Sequence, residues 1–230
     1  MKRLALFSLA VLAGSGCTGP GPRSEAAPPP APVPEPEIRI EPVGYASLVD
    51  VGYLSPPPTD RYEDPILSSP VMRDPEFQES VEWWIDYWQD AARPWFPDFL
   101  RRMGAFEQTV DSALAERAMP ASLRYLPIIE SGYSPVARSH ASAVGMWQFM
   151  AGTAREFGME VGAFVDERRN PFKSTAAAVG FLDNLHGDFD SWFLALAAYN
   201  GGPNRARRIL RENAPLAQPS DSLFWALRHH

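Results

Sequence analysis

The sequence predicts an all-α domain that follows a long proline-rich segment. After residue 60, apolar residues recur at intervals of three and four over successive stretches, which is the spacing of one face of an α-helix. No stretch there alternates apolar and polar residues long enough to predict a strand. Of the 24 prolines, 12 fall within residues 18–60, outside this helical part. The predicted domain, residues 61–230, is long enough for a sizeable core.

The first 17 residues have the pattern of a bacterial secretory signal. A short basic start precedes a ten-residue run, 4–13, that is apolar except for Ser8, and then small residues up to Cys17, the only cysteine in the chain. Ten residues are too few to span a bilayer core, which needs about 20. The segment resembles a lipobox, which implies a lipidated Cys17 as the mature N-terminus. An incidental cysteine in an ordinary signal peptide is the alternative.

A lipid on Cys17 would be an anchor rather than a membrane span. Thr18 follows the cysteine, which by the same resemblance favours export to the outer membrane. We therefore expect a lipoprotein signal peptide over residues 1–17 and a periplasmic protein held at the outer membrane by its lipid. Residues 18–60 have few apolar residues to bury and are predicted to be a disordered tether between the lipid and the domain.

Three helices are predicted in the first half of the domain, each from a start signal and an apolar stripe. Asp74 precedes a proline and a glutamate, a strong start signal, and the second and third helices open at or just after Pro97 and Pro120. The apolar stripes of these three helices run over residues 77–88, 99–114 and 123–129.

Four helices are predicted in the second half. Thr153 and Glu156 form a capping-box pattern, with Gly158 closing that short helix. Asn170 before a proline opens the next helix, and Asp190 is predicted to cap a helix over residues 192–200. Residues 201–203, Gly-Gly-Pro, should separate that helix from a last one over residues 204–212.

Tryptophans are concentrated near the first two helices. We expect them to pack in the core or between helices, since large aromatic side chains on helical stripes usually do. Sugar stacking by one of them is the alternative. The residues concerned are Trp83, Trp84, Trp88 and Trp95.

Composition excludes several classes of function. The net charge is −7 and the sequence pI is about 5.1, which argues against a nucleic-acid binder held by phosphate contacts. One cysteine and four histidines leave little for a metal centre or a disulfide framework. The sequence gives no reason to expect a cofactor.

Glu130 is the first candidate for chemistry. It ends an apolar stretch, Leu126 to Ile129, so partial burial should favour its neutral, protonated form. A carboxylic acid that stays protonated near neutral pH can donate a proton to a leaving oxygen. A solvated glutamate at a helix end is the alternative when the residue is considered alone.

Several dispersed segments in a fixed order make Glu130 a stronger candidate for a catalytic residue. After Glu130-Ser131 come Ser139, Gly145-Met-Trp-Gln-Phe-Met150 and Ala197-Ala-Tyr-Asn-Gly-Gly-Pro203. In these segments the sequence resembles the family 23 lytic transglycosylases, the soluble-lytic-transglycosylase domain, and most of all the membrane-bound lytic murein transglycosylase D group. The resemblance implies a lysozyme-like helical fold and peptidoglycan glycan strands as the substrate.

The resemblance also implies roles for individual residues. Glu130 would be the single catalytic acid and base. Six residues would contact the substrate or line its cleft, and for Gly145 the missing side chain would let the sugar approach the backbone closely. These six are Ser139, Gly145, Met146, Gln148, Tyr199 and Asn200. Taken singly, each has an ordinary structural alternative, such as a helix cap, a surface amide or a core aromatic.

A second carboxylate is missing near Glu130 in sequence. No Asp or Glu lies between Glu130 and Glu156, whereas ordinary glycosidases use two carboxylates. We therefore predict a lytic transglycosylase that forms 1,6-anhydro-N-acetylmuramic acid ends without water. The alternatives are a lysozyme-like muramidase, which would need a placed water, and a non-catalytic peptidoglycan-binding lipoprotein.

Overall fold

The computed structural model describes residues 64–229, and this part of the chain is helical. It holds eight α-helices, and three short 3-10 helices lie at 70–73, 121–125 and 167–169. Extended backbone pairing within the described residues is limited to isolated bridges. The prediction of an all-α domain is confirmed. The α-helices are α1 Pro75–Gln89, α2 Phe96–Ala115, α3 Leu126–Ser131, α4 Ala151–Glu156, α5 Pro171–Phe189, α6 Trp192–Gly201, α7 Pro203–Asn213 and α8 Asp221–Ala226.

Local capping chemistry explains where several helices begin and end. The Asp74 carboxylate accepts hydrogen bonds from the first free N–H groups of α1, and the Asn170 amide oxygen does the same for α5. Gly202, with φ of 88°, separates α6 from α7, and Pro203 begins α7. These three sequence predictions are confirmed.

Two other predictions of helix starts are wrong, and a third is correct in position but not in helix type. The helix α4 begins at Ala151 with Met150 as its N-cap, so Thr153 already lies inside it and cannot cap it. Asp190 has φ of 47° and ends α5, while the hydroxyl of Ser191 caps α6. The stretch after Pro120 begins as a 3-10 helix and becomes α-helical only at Leu126.

The main core forms around α5 and α6. Both helices are rich in small and apolar residues, so they pack closely and are buried along most of their length. A second, smaller cluster joins the start of the described chain to its end. It contains Val71, Phe77 of α1, Phe193 of α6 and Trp225 of α8.

The tryptophans of the first two helices do not all enter the core. Trp83 is 48% exposed and Trp95 is 56% exposed, so the prediction of core packing is wrong for these two. Trp88 is half-buried and packs against Phe96 and Phe99 of α2. Phe77 is the one buried residue of α1, and the aromatic residues Trp84, Tyr87 and Trp88 of this helix are half-buried.

The predicted signal peptide, Cys17 and the proline-rich tether lie outside the described residues. Among residues 64–229, no helix combines the length and apolarity that crossing a membrane requires.

Candidate active site

Glu130 lies in the last turn of the short helix α3. Gly132 ends this helix with φ of 58°, a left-handed conformation that glycine adopts without strain. A Cβ atom added to Gly132 would lie 2.4 Å from the ring of Phe99. The glycine therefore lets the end of α3 press directly against α2, and this contact fixes where the carboxylate of Glu130 is held.

Burial keeps the carboxyl group of Glu130 protonated near neutral pH. Desolvation raises the pKa of Glu130 from 4.5 to about 7, and no charge on another described residue contributes to this shift. Tyr199 of α6 lies close by, since burial and, after it, the negative charge of Glu130 raise the pKa of the Tyr199 phenol well above its usual value. The acid and the phenol of Tyr199 are thus half-buried neighbours.

A compact loop, residues 139–149, carries the glycine and the glutamine of the predicted site. Val144 and Phe149 exchange two backbone hydrogen bonds of 3.0 and 3.1 Å, which close the second half of the loop into a tight turn. Gly145 has φ of 88° and Gln148 has φ of 51°. Positive φ costs a residue with a side chain about 1–3 kcal/mol, and the Gln148 amide offsets part of this cost by donating a 2.7 Å hydrogen bond to the Gly145 carbonyl.

Two side chains join this loop to the helices behind it. The hydroxyl of Ser131, the residue after Glu130, donates to the Met146 carbonyl at 2.8 Å. The hydroxyl of Tyr199 donates to the Trp147 carbonyl at 2.7 Å. The loop, the end of α3 and the end of α6 therefore meet at Glu130.

The other predicted site residues lie at different depths. Ser139 accepts a 3.0 Å hydrogen bond from the amide of Ala143 and so stabilises the start of the loop. Asn200 is exposed at the end of α6. Met146 is fully buried in the main core, so we revise its role from contact with a sugar to core packing. Trp147 is also fully buried and donates to the Thr175 hydroxyl.

Comparison with known proteins identifies the family. Residues 110–219 match the family model of the transglycosylase SLT domain. These residues therefore form a domain like that of the family 23 lytic transglycosylases. The family predicted from the dispersed segments is therefore confirmed.

Curated relatives of the SLT domain include "Membrane-bound lytic murein transglycosylase D" from Escherichia coli, in strain K12 and in strain O6:H1. Each is 34% identical over 131 residues, which is 56% of this chain and 28% of the relative. The chain thus spans less than a third of these relatives. Among solved structures, an inactive mutant of the lytic transglycosylase Slt from Pseudomonas aeruginosa matches with 23% identity and a TM-score of 0.45. That match covers 66% of this chain and 27% of the other.

Arg168, which was not among the predicted site residues, is buried beside the loop 139–149. Arg168 is 7% exposed and forms an ion pair with Asp166, and its guanidinium also reaches the loop 139–149. Asn170, two residues after Arg168, was predicted as the start of a helix. Nothing in the local pattern distinguishes the buried Arg168 from the exposed Arg169 beside it.

The site of the SLT domain offers proton transfer and hydrogen bonding. Within the part of the chain that the structure describes, no group of three or more His, Cys, Asp or Glu side chains could hold a metal ion. The chemistry that this arrangement can perform is the donation and removal of one proton by Glu130.

Proposed function

We propose that this protein is a peptidoglycan lytic transglycosylase that cleaves the β-1,4 bond between N-acetylmuramic acid and N-acetylglucosamine without water. The single observation that carries the proposal is the half-buried Glu130 at the end of α3 within an SLT domain, where burial raises its pKa to about 7. Ordinary glycosidases use a second carboxylate near the acid, whereas no Asp or Glu lies between Glu130 and Glu156 in the sequence.

In the first step, the protonated Glu130 donates its proton to the glycosidic oxygen as the bond between this oxygen and C1 of the muramic acid breaks. The leaving N-acetylglucosamine carries that proton away as a hydroxyl group. The positive charge that develops at C1 can be sheltered by the oxygen of the sugar's own 2-acetamido group. By resemblance to the family, Tyr199 and Gln148 would orient this group by hydrogen bonds.

In the second step, the Glu130 carboxylate takes the proton of the C6 hydroxyl while the C6 oxygen attacks C1. The product is a 1,6-anhydro ring, and Glu130 is protonated again. Atoms balance without water because the nucleophile belongs to the substrate. Since the first step needs the acid form, activity should fall as pH rises through the pKa of Glu130, about 7.

The products of digestion test this proposal. Purified sacculi should yield 1,6-anhydromuropeptides with no new reducing ends, as read by mass spectrometry after borohydride treatment. Borohydride-reducible muramic acid ends that accumulate with turnover would establish the muramidase instead. Binding without any cleavage would indicate the non-catalytic glycan-binding protein. Glu156→Gln, which changes an exposed acid on α4, is the matched control for Glu130→Gln and should retain activity.

We further propose that the protein acts in the periplasm, tethered to the outer membrane by a lipid on Cys17. The support is the lipobox-like N-terminus and the words "membrane-bound" in the name of its relatives. Cys17→Ala should move the protein from the membrane fraction to the soluble periplasmic fraction. The tether is refuted if the variant still fractionates with membranes and the wild-type N-terminus carries no acyl chain.

A further inference from the structure

Arg168 is a charged side chain held in the interior of the domain. It lies on the 3-10 helix that precedes α5 and is 7% exposed. Its Nε and Nη2 groups donate to the two carboxylate oxygens of Asp166, each at 2.8 Å. This forked pair lowers the pKa of Asp166 and keeps it ionised. Because burying an unpaired guanidinium is costly, Asp166 is what allows Arg168 to lie inside the domain.

The remaining donor of Arg168 reaches the loop 139–149. Its Nη1 group donates to the carbonyl of Ser142 at 3.2 Å and to the carbonyl of Phe149 at 3.1 Å. These two carbonyls lie seven residues apart, on either side of Gly145. One guanidinium therefore ties both arms of the loop to the segment before α5.

The backbone of Arg168 makes a third contact with the same loop. A Cβ atom added to Gly145 would lie 1.9 Å from the carbonyl oxygen of Arg168. The backbone of Arg168 thus fills the space that a side chain at position 145 would need. Arg168 touches the loop at its two arms and at its middle.

The loop that Arg168 holds is the one that connects the candidate catalytic elements. Its carbonyls at Met146 and Trp147 accept the hydroxyls of Ser131 and Tyr199. We propose that Arg168, oriented by Asp166, is a positioning residue that fixes the loop 139–149 against the two helix ends carrying Glu130 and Tyr199. The part of this inference that concerns turnover rests on the proposed function, whereas the part that concerns the loop does not.

Lysine cannot replace arginine in this position. A lysine ammonium is a point charge without the planar fork that meets both oxygens of Asp166 while a separate nitrogen reaches two carbonyls. Arg168→Lys keeps the charge and loses the geometry. Asp166→Asn keeps the shape and loses the charge that orients the guanidinium, so it serves as a second, independent variant.

Hydrogen exchange followed by mass spectrometry tests the loop directly. In Arg168→Lys and Asp166→Asn, peptides covering residues 139–150 should exchange faster than in the wild type, while peptides from the middle of α5 should keep their protection. The matched control is Arg117→Gln, which breaks an exposed arginine–aspartate pair with Asp183 at 2.9 Å. This control should leave the loop peptides unchanged.

Steady-state cleavage of soluble glycan fragments tests the catalytic consequence. Misplacing catalytic groups by about 1 Å can cost 100-fold in rate, so we expect kcat to fall about 10- to 100-fold in both variants, with KM within about threefold of wild type. Arg117→Gln should match wild type in both constants.

Two results would overturn the inference. One is unchanged exchange of the loop peptides, and the other is equal loss of protection in α5, which would mean that Arg168 merely stabilises the whole domain. A wild-type protein that does not cleave glycan fragments would refute the proposed function and leave the exchange result to decide the role of Arg168 in the loop.

Discussion

Replacing Glu130 by glutamine removes one titratable group from a half-buried position and keeps the size of the side chain. Burial raises the pKa of Glu130 from 4.5 in the unfolded chain to about 7 in the folded protein. When the pKa of an acid is higher in the folded state than in the unfolded state, the folded protein is at full stability below the unfolded pKa. That stability is lost as pH rises through the folded pKa. Since each pKa unit corresponds to about 1.4 kcal/mol, the charged carboxylate should oppose folding by about 3 kcal/mol above pH 7.

Glutamine carries no charge at any pH, so the variant escapes this cost. The free energy of unfolding of Glu130→Gln, relative to wild type, should therefore rise by about 3 kcal/mol between about pH 4 and pH 8. Urea unfolding followed by circular dichroism at both pH values measures it, with the exposed Glu156→Gln as a control that should show no such change. Cleavage activity should fall by about 100- to 10,000-fold in the same Glu130 variant.

A pH-independent difference, constant within about 0.5 kcal/mol, would refute the reasoning. It would mean that water reaches the carboxylate in the folded protein and that Glu130 is ionised at neutral pH. Cleavage within a few-fold of wild type by Glu130→Gln would separately remove the residue from the mechanism.

Two further substitutions test the loop around the site. Gly145→Ala should lower the free energy of unfolding by more than about 2 kcal/mol, because φ is 88° and the new Cβ would meet the Arg168 carbonyl. Thermal unfolding measures the loss, and Gly152→Ala on α4, with nothing within 4 Å, should be neutral or stabilising. Tyr199→Phe should cost about 1–2 kcal/mol because the Trp147 carbonyl loses its 2.7 Å hydrogen bond, and equal stability in urea would contradict that.

Helix ends were predictable from sequence where one residue decides them. Asp74 and Asn170 each precede a proline, and each side chain caps the helix that follows. The choice between Asp190 and Ser191 was not predictable in this way, since both residues are good N-caps. The structure decides it because the backbone of Asp190 is left-handed and the Ser191 hydroxyl reaches the free amide of Leu194.

The site was predictable only where dispersed motifs identify it. Glu130 and Gln148 belong to such motifs, whereas the depth of each side chain depends on packing between segments far apart in sequence. Met146 lies in the core and Trp83 lies on the surface, although both are large apolar residues. The role of Arg168 could not be predicted because its partners include carbonyls 19 and 26 residues earlier in the chain. Every residue has a backbone carbonyl, so the sequence does not show which of them accept a hydrogen bond from a side chain.

The small aromatic cluster near the ends of the described chain sets the smallest fragment that can fold. Phe77 contacts Phe193 and Trp225 edge to face, and Arg228 lies over the Trp225 ring at 4.3 Å. The family match ends at residue 219, so an expression fragment cut to residues 110–219 would lack Phe77 and Trp225 and leave Phe193 open to water. We therefore expect a stable expression fragment to extend to both sides of the family boundaries, because its first and last helices are joined by the Phe77–Trp225 contact.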